Sequence, residues 1–259
     1  MDWNGVASTD VFKRDAHIHL QEYSHQQLDL AIKRAMARGI ERFDCCGTMP
    51  SDWNRVSNLA MQYKDMVFPY FGIHPWYISE HDVDVEDVFE FLVSMLEKIP
   101  YAGVGEIGLD YKAGNFDYQK FIFSQQLELA KEYGRPVAVH TVGMVNELYE
   151  HLVQYKGCFP ELLIHSPSMS YEMAEKFLKL GAIFSFNIFV LNEEYVRMRE
   201  LAARIPPESL RFETDSPRRI FSGYEVPELN GLIGPELLPE VHKEVLAIRR
   251  RYAARGVLS

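Results

Sequence analysis

The chain has 259 residues, 47% of them apolar and 25% charged, which is enough for a sizeable core and ordinary for a soluble globular protein. Its net charge of −10 argues against tight, non-specific binding to a long polyanion, because such binding rests on lysines and arginines displacing counterions. A phosphodiester can still be handled locally, where bound metal ions supply positive charge that the total count does not.

Residues 12–20 read as a first strand carrying Asp15-Ala16-His17-Ile18-His19. Two histidines two apart on a strand point the same way, so one strand end offers two imidazoles to a single divalent ion. Residues 24–38 have helical spacing, with Leu28, Ala31, Ile32 and Ala35 on one face and Gly39 as a stop. A second strand spans 40–46, and a helix follows over 51–64. The third strand, 67–73, runs into Gly72-Ile73-His74-Pro75-Trp76, and an amphipathic helix covers 83–98. A short fourth strand, 101–106, ends at Glu106, and the longest helix covers 116–133. The remaining strands are expected at 136–140, 162–165, 182–186 and 209–215, with helices at 144–154, 170–180, 192–203 and 236–254. A Gly/Pro-marked loop, 217–235, precedes the last helix. Cys45, Cys46 and Cys158 lack zinc-type spacing, and their odd number argues against a disulfide framework, so buried thiols in a reducing compartment are expected. With no basic-then-apolar leader and no apolar run of membrane-spanning length, the expectation is a soluble cytoplasmic protein with no membrane partner and no evident obligate protein partner.

Eight strands alternating with eight helices predict parallel strands with crossover helices. In a chain of this length that is an α/β protein of the (β/α)₈ TIM-barrel class, with residues 1–259 as a single domain. The competing architecture is a doubly wound open sheet, but the Gly-rich phosphate loop it would carry after the first strand is absent.

On a barrel the polar residues gather at one face. His17 and His19 end strand one, His74 strand three, Glu106 strand four, His140 strand five, His165 strand six and Asp215 strand eight. All carboxyl ends meet at the top of a barrel, so these seven residues converge on one mouth. Singly, a strand-end histidine is more often a hydrogen-bonded loop support than a ligand; together they form a His-rich set with carboxylates, which suits Zn²⁺, Mn²⁺ or Co²⁺. The set exceeds the needs of one tetrahedral ion. Glu106 could bridge two ions, and Asp215 could bind metal and accept a proton from the attacking water. His74 is placed for substrate contact, or for a structural role.

These stretches resemble the TatD family of metal-dependent hydrolases, within the amidohydrolase-like barrels. The matching segments are Asp15-Ala16-His17-Ile18-His19-Leu20, Gly72-Ile73-His74-Pro75, Gly105-Glu106-Ile107-Gly108-Leu109-Asp110-Tyr111, Gln119 through Gln126-Leu127-Glu128-Leu129-Ala130, Pro136-Val137-Ala138-Val139-His140, Ile164-His165-Ser166 and Glu213-Thr214-Asp215-Ser216-Pro217. The resemblance implies His17, His19, Glu106, His140, His165 and Asp215 as ligands of two divalent ions (zinc, manganese, cobalt or magnesium). It also implies phosphodiester hydrolysis, as a deoxyribonuclease. The chain departs from the family in its loops. Thr141-Val142-Gly143 stands where an arginine often follows the fifth-strand histidine, and Ser166-Pro167-Ser168-Met169 replaces a Cys-Phe-Ser-Gly-like stretch. Trp76 replaces a usual second histidine, and the Asn-x-Pro segment expected beyond Pro217 is not recognisable. Arg218 and Arg219 could replace a lost phosphate clamp or form a solvated pair.

Three functions remain open on these grounds. One is a two-metal phosphodiesterase acting on DNA ends or short single strands. Another is a metal-dependent amide, ester or lactone hydrolase of small substrates, which the acidic charge and altered loops favour more than in a typical family member. The third is a metal-binding interaction module without turnover, which six intact ligand positions argue against. Tyr111, Phe116, Tyr118 and Phe121 could stack on bases, although those on the helix are expected to pack the outer layer.

Overall fold

The structure, a computed structural model, describes residues 12–78, 85–217 and 232–256. Eight parallel strands pair in chain order: β1 (Arg14–Ile18), β2 (Arg42–Cys46), β3 (Val67–Phe71), β4 (Gly103–Asp110), β5 (Val137–Val142), β6 (Leu162–His165), β7 (Ala182–Phe186) and β8 (Leu210–Phe212). Between and after them run α1 (His25–Ala37), α2 (Pro50–Gln62), α3 (Val85–Lys98), α4 (Phe116–Glu132), α5 (Val145–Leu152), α6 (Tyr171–Leu178), α7 (Val196–Arg204) and α8 (Leu238–Ala254). The ring closes just beyond β8. The amide of Asp215 donates to the His17 carbonyl at 3.0 Å, and that of His19 to the Ser216 carbonyl at 2.8 Å. This is the (β/α)₈ barrel that strict alternation predicts.

Local chemistry explains where the helices begin. Ser24 and Gln27 form a reciprocal capping box ahead of α1, Pro50 occupies the first turn of α2, and Ser170 caps α6. The main apolar layer lies between the sheet and the helices, built on side chains such as Trp53, Phe123, Phe177 and Phe184. A second, smaller cluster of Ala16, Cys46, Tyr70, Ala138 and Leu163 fills the barrel interior. Tyr70 needs Gly103 opposite it, since any Cβ there would collide with the tyrosine ring. At the amino ends of the strands, Arg14 pairs bidentately with Glu161, at 2.6 and 3.2 Å, and also with Asp44. This part-buried ionic plug leaves the opposite end of the barrel for chemistry.

Several boundaries differ from expectation. β4 does not stop at Glu106. It runs on to Asp110, because pairing with β5 continues from Ile107↔Val139 to Asp110↔Val142, so Glu106 lies inside the strand. β8 is shorter than expected, and Asp215 sits three residues past it with φ of 54°. The helix expected over 192–203 starts later, as α7 from Val196, and a separate 3₁₀ turn at Ile188–Leu191 precedes it. Most of the 217–235 loop lies outside the described residues, and Arg218 and Arg219 with it. Cys45 and Cys46 are buried free thiols and Cys158 is half-buried. No helix among the described residues is long and apolar enough to cross a membrane.

Candidate metal centre

All seven residues singled out from the sequence meet at the carboxyl end of the barrel, around Glu106. The sheet loses register at two places, between Asp15 and Ile18 and between Val104 and Ile107. These irregularities carry His17 and Glu106, and re-aiming a side chain is what such bulges do beside active sites. Glu106 divides its two oxygens. Oε2 lies 3.3 Å from His17 Nε2 and 3.4 Å from His19 Nε2. Oε1 lies 2.8 Å from His165 Nε2, 3.0 Å from His140 Nδ1 and 3.5 Å from His74 Nε2. Asp215 Oδ1 adds to the first group, 3.4 Å from His19 Nε2. Each oxygen therefore serves its own set of imidazoles.

The donor chemistry fits divalent ions. His17, His19 and Asp215 offer ligand atoms within 4.8 Å of one another, as do His17, Glu106 and His165, and likewise His74, Glu106 and His140. All are nitrogen or carboxylate donors, and all are at least nine-tenths buried. The electrostatics of the cluster point the same way. Burial alone would raise the Glu106 carboxyl, but His165, His74 and His17 hold it well below the usual carboxylate range. Burial, with His165 beside it, pushes His17 down to about 4. His165, against the opposing effect of burial, is pushed up to about 10 by Glu106 and Glu213. The metal-free cluster thus keeps an ionised carboxylate among imidazoles of both charge states, and an ion entering it must displace protons.

Each of the four ligand-candidate imidazoles also has a polar neighbour behind it. His140 Nε2 lies 3.0 Å from Asp110 Oδ2, and His165 Nδ1 lies 3.4 Å from Glu213 Oε1. His19 Nδ1 faces the Cys46 carbonyl at 2.8 Å, and His17 Nδ1 faces the Cys46 thiol at 3.4 Å. Partners of this kind set the tautomer and the ring orientation. His74 is arranged differently. Its Nδ1 accepts the Trp76 amide N–H at 3.1 Å, so the neutral ring carries its proton on Nε2, the nitrogen that faces Glu106. Burial lowers the His74 pKa and keeps it neutral. In this state His74 is a hydrogen-bond donor toward the centre.

Three further buried carboxylates beside the cluster were not given roles from the sequence: Asp15, Asp110 and Glu213. Asp15 accepts from the Thr214 amide at 2.9 Å and the Thr214 hydroxyl at 2.5 Å, tying β1 to the loop that bears Asp215. Each stands an even number of residues from a singled-out residue, Asp15 before His17, Asp110 after Glu106 and Glu213 before Asp215. The period-two argument that paired His17 with His19 would have found them. Two buried glutamines of α4 support the same face. Gln126 donates to the Ile73 carbonyl and accepts its amide, next to His74 (3.3 and 2.7 Å); Gln119 does the same for Asp110, both at 2.9 Å. Gly108 lets the strand pass His140 closely, since a Cβ there would collide with the His140 carbonyl. The centre opens into a cavity of about 990 Å³ whose wall includes Trp76, Tyr77, Lys112, Tyr195 and Arg197. Of the aromatics considered for stacking, Tyr111 and Phe116 form an exposed stacked pair beside the mouth. Tyr118 packs on the outer apolar layer, and Phe121 is exposed on α4.

Residues 14–253 match the family described as TatD related DNase. The chain belongs to the TatD family of metal-dependent hydrolases. It is 29% identical over 240 residues to the uncharacterized metal-dependent hydrolase YjjV of Escherichia coli, covering 90% of this chain and 87% of that one. The crystal structure of that TatD homologue superposes with a TM-score of 0.82 at 27% identity, covering 93% and 92% of the two chains. The chain is also 26% identical to the 3'-5' ssDNA/RNA exonuclease TatD of a Rahnella strain, over 91% of this chain and 89% of that one. The TatD hydrolase fold, with its His/Glu/Asp cluster compatible with metal binding, is thus common ground between geometry and ancestry.

Proposed function

We propose that this TatD-family hydrolase is a two-metal phosphodiesterase. The observation that carries the reading is the division of Glu106, whose two oxygens face separate imidazole groups 2.8–3.5 Å away. A single structural ion would not need a buried carboxylate aimed both ways. His17, His19 and Asp215 would hold one ion, His140 and His165, both against Glu106 Oε1, the other, and Glu106 would serve both. When bound, two divalent ions supply Lewis acidity, activation of water at neutral pH and neutralisation of phosphoryl oxygens.

The chain's own residues do the rest. Asp215, held in a left-handed backbone turn behind β8, accepts the proton of the attacking water at a carboxylate oxygen. His74, its proton fixed on Nε2 by the Trp76 amide, donates a hydrogen bond to a substrate oxygen. The name of the Rahnella relative supports a nucleic-acid strand end as the substrate. The test is to strip the metal, restore Mn²⁺ or Zn²⁺, and assay bis(p-nitrophenyl) phosphate and single-stranded oligonucleotides beside amides, esters and lactones. Chelator-sensitive, metal-restored phosphodiester cleavage is the expected result. Hydrolysis confined to the other substrates would overturn the reading.

A further inference from the structure

Trp76 is the most exposed aromatic in the cavity wall, with 61% of its surface accessible, yet it is fixed at both ends. Its indole N–H donates to Asp110 Oδ2 at 2.6 Å, and its backbone N–H donates to His74 Nδ1 at 3.1 Å. The ring stands edge-on to His74, centroids 5.1 Å apart at 83°, and 6.4 Å from the His140 ring. Both donors are committed, so only the apolar surface of the ring is left for a ligand. Across the barrel mouth, past β7, Tyr195 lies flat on Phe189 with centroids 4.6 Å apart, and both line the same cavity.

The charged residues of the wall outside the ligand cluster cancel: Lys112 and Arg197 stand against Glu22 and Glu194. The whole chain adds a net charge of −10. Backbone phosphates flanking the reacting one therefore gain little from the described wall, because that gain comes from fixed cations. Stacking on aromatic faces is the other general source of single-strand affinity, and it tolerates any base. We propose that Trp76 is the plate on which the nucleobase next to the scissile phosphodiester stacks, with Asp110 holding the indole in place. This rests on the phosphodiesterase reading above. It gives the site a preference for unpaired bases, whose faces are free to leave the strand's own stack, and little preference among them.

Binding separates this inference from the chemistry. The metal-loaded full chain, its Trp76→Ala and Trp76→Phe variants are titrated with a fluorescent, cleavage-resistant phosphorothioate pentathymidylate and with an abasic pentamer of the same linkage. Metal content is measured for each protein. The wild type should prefer the thymidylate, Trp76→Ala should lose about 5–150-fold of that affinity, and Trp76→Phe should keep most of it. The inference is overturned if Trp76→Ala binds thymidylate like the wild type. It is equally overturned if the wild type binds the abasic pentamer as well as the thymidylate, or binds neither. Cleavage of bis(p-nitrophenyl) phosphate by the wild type, a substrate without a base, judges the phosphodiesterase reading separately.

Discussion

Replacing Asp110 with asparagine isolates one half of the centre. Asp110 Oδ2 takes two hydrogen bonds, from His140 Nε2 at 3.0 Å and Trp76 Nε1 at 2.6 Å, while Oδ1 takes the Lys112 amide at 2.7 Å. Burial would raise the carboxyl, but His140, the Lys112 amide and Trp76 hold it below the usual carboxylate range, so it is ionised at neutral pH. Asparagine has one acceptor oxygen where three donors converge on two. Kept on Lys112, that oxygen leaves an NH₂ facing the two N–H groups; turned toward them, it leaves the NH₂ facing Lys112. In the first arrangement His140 escapes the clash by moving its proton to Nδ1, the nitrogen that faces Glu106 and that a metal would need free. Losing an orienting partner of this kind costs about 10–100-fold in metal affinity, roughly 1.4–2.7 kcal/mol. Competition of the metal-free protein against a chromophoric chelator for Zn²⁺ measures this directly. One of two equivalents should weaken by that amount and the other, at His17, His19 and Asp215, should hold. Two unaltered equivalents, or two that weaken equally, would refute the tautomer argument and the division of the site.

Glu106→Gln should weaken both equivalents in the same titration, because the amide removes the charge shared by the two groups; retention of full affinity at either would show that Glu106 is not shared. Asp215→Asn should keep much of its metal and lose about 10²–10⁴-fold in turnover, and a metal-replete variant working at the wild-type rate would remove Asp215 from proton transfer. His242, on α8, is buried against Phe12 and Phe212 with no partner for Nε2 among the described residues, and burial lowers its pKa from 6.5 to about 4. The unfolded chain binds the extra proton first, so stability is full above pH 6.5 and falls as pH drops toward 4, by at most about 3 kcal/mol. Chemical denaturation of the metal-free protein at pH 7 and pH 4 should therefore show a smaller acid loss in His242→Leu than in the wild type, and equal losses would mean that His242 is not buried neutral.

The sequence by itself determined the barrel and which polar residues gather at its carboxyl end. Alternating strand and helix patterns in 259 residues leave few architectures, and parallel strands must send all their carboxyl ends to one face. From that, His17, His19, His74, Glu106, His140, His165 and Asp215 could be gathered without coordinates. Tertiary structure decided what each of them faces. That Glu106 lies inside β4, not at its end, depends on pairing between Ile107–Asp110 and Val139–Val142, a non-local term that no window of β4 contains. The tautomer of His74 depends on where the Trp76 amide falls once Pro75 turns the chain. Asp15, Asp110 and Glu213 were visible as residue types, but their partners Thr214, His140 and His165 are 30–199 residues away. Periodicity records which side of an element a residue takes. Hydrogen bonds between elements depend on register and loop closure, and those are settled only when the whole ring of strands has closed.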